Sequence, residues 1–121
     1  MTHVQPDAFL RQALSVLDVL AFDAEQQVHH VRCLGVGVDE MALEFDDVFR
    51  QGVGMEAEGL IAREVMSCMI PVDEILQRMT EATTPLWTEK AVRASVEWAE
   101  LRTAAERAAA GVRRVLPIQD D

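Results

Sequence analysis

VDEMALEFDDVFRQ, Val38 to Gln51, reads as one two-sided helix. At 3.6 residues per turn, Val38, Met41, Ala42, Phe45, Val48 and Phe49 fall on one side, and Asp39, Glu40, Glu44, Asp46 and Asp47 on the other. Leu43 sits in the middle of the acidic side. No run of the chain alternates with the period of two that a half-buried strand needs, whereas the helical period recurs along its whole length. The expected fold is therefore all-α, one bundle-like or orthogonal domain over residues 1–121 with six or seven helices and frayed ends at 1–5 and 116–121.

The flanking helices follow from similar signals. Pro6 suits a first-turn position, and Phe9, Ala13, Val16, Leu17 and Leu20 make a stripe behind it. Asp23 and Gln26 have capping-box spacing, with Ala24, Val28, Val31 and Leu34 as the expected inner face and Gly35 as the stop. Asp39 is the expected cap of the third helix and Gly52 its end, with Val53 to Met55 leading into the fourth. Leu60, Ile61, Val65, Met66, Cys68, Met69 and Ile70 cover much of that fourth helix, which implies a central position or an oligomer interface. Pro71 is expected to break or kink the chain before a further helix carrying Val72, Ile75, Leu76 and Met79. Thr88 caps a short turn, with Trp87 and Val92 at the spacing of a hydrophobic staple. A last helix from about Ser95 to Val112 turns Trp98, Leu101, Ala105, Ala108 and Val112 inward.

Charge narrows the possible partners. The net charge is -10, and it is uneven: residues 1–89 hold 5 Arg against 16 acids, whereas residues 90–121 hold 6 basic residues against 5 acids. The acidic part repels nucleic acid and anionic lipid, which are bound through Lys and Arg, and it accelerates encounter with a basic protein. No segment reaches 18 apolar residues, so no membrane span is expected. MTHVQPDAF has neither a basic n-region nor an apolar h-region, which points to a cytoplasmic location with Cys33 and Cys68 as free thiols.

Motifs for chemistry are sparse. Glu44 and Asp47 form an E-x-x-D of the kind that helical nucleotide pyrophosphohydrolases use to hold Mg²⁺, but the only E-x-x-E, Glu97 to Glu100, follows it instead of preceding it. His29 and Cys33 share a face at i, i+4 and could offer two ligands to Zn²⁺ or Ni²⁺, with no spaced second pair. Ser15, Ser67 and Ser95 lack a G-x-S-x-G context, and the Gly35 and Gly52 turns lack a Walker lysine. Lys90, Arg93, Arg102, Arg107, Arg113 and Arg114 are expected on a solvated face, paired with Glu97, Glu100 and Glu106. Met41, Met66, Met69 and Met79 are expected as core filler in a chain poor in aromatics.

LGVGVDEMALEFDDVFR (Leu34 to Arg50) and PLWTEKAVRASVEWAELRTAAERA (Pro85 to Ala108) resemble a class of small, acidic, all-helical uncharacterised proteins of high-GC bacteria. In that class a DE-x-A-L-E-F-D-D helix precedes an LWT…W-x-x-L/V-R ending. The resemblance covers about a third of the chain and implies a shared fold, with no activity attached.

The expected function is a non-catalytic interaction module without a cofactor or metal, docking on a basic protein partner through Asp39, Glu40, Leu43, Glu44, Asp46 and Asp47. Its concrete form is an immunity or inhibitor protein that covers the positive cleft of a nuclease-type toxin. Two other classes stand beside it: a homodimer assembled through the Met-rich fourth helix, and a Mg²⁺-dependent hydrolase using Glu44 and Asp47. A staple between Val38 and Leu43, with Asp39 as the cap, is the plain alternative for Leu43.

Overall fold

Six helices account for nearly all of residues 6–116, which are the residues described by the computed structural model. They are α1 (Pro6–Ala21), α2 (Ala24–Leu34), α3 (Asp39–Ala57), α4 (Arg63–Glu81), α5 (Glu89–Ala94) and α6 (Val96–Val115). Among the described residues there is no strand. The expected frayed ends lie outside the described residues except at Leu116, which is half-buried against the core with its N–H on the Val112 carbonyl.

Helices α1, α3, α4 and α6 touch in a closed ring, α1 on α3 and α6, and α4 on α3 and α6. Each turns an apolar stripe to the ring's axis, where Phe9, Leu17, Phe45, Met69, Trp98 and Leu101 are among the fully buried side chains. The short helices α2 and α5 pair beside the ring, and α5 also rests on α6.

Local chemistry starts and stops these helices. Asp23 accepts the Gln26 N–H at 2.8 Å while Gln26 Oε1 accepts the Asp23 N–H at 3.0 Å, completing the capping box at α2. Gly35 ends α2 at φ 69°, a left-handed conformation that glycine adopts without a Cβ penalty. Thr88 and Ser95 accept the N–H groups of Ala91 and Trp98 at the starts of α5 and α6.

Helices α2, α3 and α4 depart from the sequence-based expectation. Helix α3 does not end at Gly52 but continues through Val53, Gly54 and Met55 to Ala57, and the turn comes later, at Gly59 with φ 73°. Gly52 is buried because α3 closes on α1 and α4 there: a Cβ would stand 2.8 Å from Phe9 Cζ and 2.6 Å from Met66 Sδ. Asp39 is the first helical residue, not the cap; the cap is Val38, whose side chain makes no capping bond. Pro71 lies inside an unbroken α4. It faces solvent, where water can satisfy the carbonyl it leaves free, while Met69 before it and Val72 after it anchor both halves in the core.

On α2 the inner position belongs to Gln27, not Leu34, which is 55% exposed next to the Gly35 turn. Gln27 is fully buried and fully bonded. Its Nε2 donates to the Val19 and Leu20 carbonyls at the end of α1, at 3.2 and 3.0 Å, and its Oε1 accepts from Arg102 Nη1 at 3.0 Å. Arg102 Nη1 also donates to the Val92 carbonyl at 3.0 Å. One amide and one guanidinium thus tie α1, α2, α5 and α6 together. Burial pushes the Arg102 guanidinium down from its usual range, and the charge of Asp23 opposes that shift. Every buried side-chain N and O among the described residues has a partner.

Candidate docking surface

The acidic side of α3 divides into two stripes. Asp39, Leu43, Asp46 and Arg50 follow one line at i, i+4, i+7 and i+11, and Glu40, Glu44 and Asp47 follow the neighbouring line. Of the six residues singled out from sequence, the α3–α4 groove brings together two, Leu43 and Asp46. Asp39, Glu40, Glu44 and Asp47 do not line it.

Leu43 is 53% exposed. With Val38 as the cap, the staple register shifts to Gly37 and Ala42, so Leu43 is not stapling the start of α3. It stands at the lip of a groove of about 370 Å³ whose apolar floor comes from Ala42, Phe45 and Leu76. Asp46 and Arg50 of α3 and Asp73 and Glu81 of α4 form its charged margin.

Three carboxylates face one guanidinium in that margin, and the guanidinium is already engaged: Arg50 Nε lies 2.9 Å from Asp46 Oδ2. Asp73 accepts a hydrogen bond from Gln77 Nε2 at 2.8 Å. Burial pushes the Asp73 carboxyl above the usual carboxylate range, and the charges of Asp46 and Glu74 push it further, against the lowering effect of the Gln77 bond. A cation seated beside Asp73 would relieve this charge crowding. Reading α3 alone could not reveal Asp73 or Glu81. The available signal was the i, i+4, i+8 spacing of Asp73, Gln77 and Glu81, which places them along one edge of α4 but does not say which helix that edge faces.

Among the described residues, neither candidate ligand pair gains a third ligand. Among the described residues, no three His, Cys, Asp or Glu side chains converge to hold a metal ion. Glu44 and Asp47 remain a pair on one helix, and His29 Nε2 and Cys33 Sγ lie 3.3 Å apart on exposed turns of α2. Cys33 and the half-buried Cys68 are both free thiols.

The chain has no significant match among protein-family models, curated proteins or solved structures. No described helix is long and apolar enough to cross a membrane.

The basic residues of the last third are exposed as expected, apart from the half-buried Arg102, but their partners are not the expected ones. Arg93 Nε donates to Glu25 Oε1 at 2.7 Å, Arg113 Nη2 to Asp18 Oδ1 at 2.7 Å, and Arg102 is committed to Gln27. Arg32 donates from Nε to Glu89 Oε2 at 2.9 Å, away from the α3 acids. Among the described residues Glu97, Glu100 and Glu106 form no ion pair. These arginines bridge helices far apart in sequence, a geometry that single-helix spacing cannot show. Met41, Met66, Met69 and Met79 are buried in the protomer's own core, as expected of core filler.

Proposed function

We propose that this protein is a non-catalytic interaction module that docks on a basic protein partner through the α3–α4 groove. Asp39 and the outer stripe of Glu40, Glu44 and Asp47 supply long-range steering, while Leu43, Asp46 and Asp73 make the contact. The observation that carries the reading is Leu43: a large aliphatic side chain, 53% exposed and free of any stapling role, beside a groove margin with excess negative charge. One apolar anchor inside a charged rim is the usual composition of a binding hot spot. The net charge of -10 would raise the association rate with a cationic surface. The specific form we propose is a cytoplasmic immunity or inhibitor protein that covers the positively charged cleft of a nuclease-type toxin.

The test is capture of basic proteins from host lysate at low and high salt, followed by binding kinetics with the purified captured protein. Leu43→Arg is expected to weaken the complex at least about tenfold, chiefly through faster dissociation, with thermal stability unchanged. Asp47→Lys is expected to slow association and flatten its salt dependence. Binding that ignores Leu43→Arg would refute the groove as the contact surface.

A further inference from the structure

The outer face shared by α4 and α6 carries a second, separate apolar surface. Val96 is 66% exposed at the start of α6, and with Pro71 and Ile75 of α4 and Ala99 and Ala104 of α6 it lines a hollow of about 530 Å³. This face differs in charge from the α3–α4 groove. Its rim holds Glu97 and Glu100 near one end of the α6 segment and Arg107 towards the other, with Arg78 alongside on α4. None of these four forms an ion pair among the described residues. A uniformly basic partner, suited to the α3–α4 groove, would meet Arg78 and Arg107 here. A surface with opposite charges at opposite ends of one helix is complementary to itself when turned through a two-fold axis.

We propose that this face is a homodimer interface, in which α6 packs antiparallel against α6 of a second copy about a two-fold axis near Thr103. In that register Arg107 of each copy lies opposite the Glu97 and Glu100 end of the other, and the two-fold axis makes this contact twice. The small residues Thr103 and Ala104 near the axis and Ala99 beside it permit close approach of the two backbones, and the aliphatic stem of Arg107 of each copy lies over the apolar hollow of the other at Ala99. Helix α6 has 20 residues. It is therefore about 30 Å long, and with α4 beside it the face offers roughly 600 Å² per copy, at the low end of what a stable dimer buries. This interface does not rest on the α3–α4 groove, which it leaves open.

Sedimentation equilibrium of the full chain over a wide concentration range tests it. The wild-type chain is expected to dimerise. Arg107→Glu and Glu100→Arg, both exposed, are each expected to raise the dimer Kd about tenfold or more without changing the circular dichroism melt. The double variant R107E/E100R restores opposite charges across the axis and is expected to return to within about threefold of wild type, and an equimolar mixture of the two single variants is expected to form a heterodimer. A chain that stays monomeric up to about 500 μM overturns the proposal. So does a dimer whose Kd ignores both charge reversals.

Discussion

Gly52→Ala and Gly54→Ala form a matched pair two residues apart on α3. Both glycines lie in the interior of the helix with negative φ, so alanine gains about 1 kcal/mol of helix propensity at either position. At Gly54 an added Cβ meets nothing within 4 Å, and that gain stands alone. At Gly52 the Cβ would lie 2.6 Å from Met66 Sδ and 2.8 Å from Phe9 Cζ, both in the buried core. The flexible thioether of Met66 can swing aside, but the Phe9 ring is enclosed and must move its neighbours. Overpacking of this kind costs about 1–3 kcal/mol. Because the propensity gain cancels between the two variants, their difference isolates the packing effect. At about 4 °C per kcal/mol for a chain of this size, Gly54→Ala should melt about 4–12 °C above Gly52→Ala, with wild type about 4 °C below Gly54→Ala and level with or above Gly52→Ala. Paired thermal and urea melts measure this. If the two variants melt together, α3 does not approach Phe9 as described. If Gly54→Ala is the less stable, the helix ends at Gly52 after all.

Replacing Gln27 with Ala should destabilise the fold by about 3 kcal/mol, since it strands the Leu20 carbonyl, leaves Val19 with only the Phe22 N–H and takes from the half-buried Arg102 one of its two acceptors. Chemical denaturation gives the magnitude, and a loss under about 1 kcal/mol would show that water replaces the amide. Asp73 predicts a pH effect. Its carboxyl is raised above the usual range, so its contribution is fully favourable below the ordinary Asp pKa and is lost as pH rises through the raised value. Asp73→Asn should therefore melt above wild type at neutral pH, with the gap closing below about pH 4. A gap that is constant across pH would mean the gain is not electrostatic.

Much of this protein was legible one helix at a time. The starts of α2, α5 and α6 and the stop at Gly35 rest on side-chain and backbone groups within four residues of one another, so the order of residues is enough to specify them. The same holds for which side of α3 is apolar and for the exposure of Leu43, because a helical period fixes faces without reference to any neighbour.

Tertiary structure decided where local preference is weak or where two distant segments meet. Glycine and proline penalties of about 1 and 3 kcal/mol are small against the apolar area that α3 and α4 bury, so both helices run through Gly52 and Pro71. Gln27 reads as polar surface from sequence and becomes core because carbonyls of α1 and a guanidinium of α6 arrive to bond it. The groove followed in the same way. Leu43 was visible on its own helix, but Asp73 joins it only because α4 lies alongside α3. The sequence by itself determined the helices and their faces, which depend on short-range hydrogen bonds and periodicity. Which faces meet depends on the shapes of side chains tens of residues apart, and only the packed structure decided that.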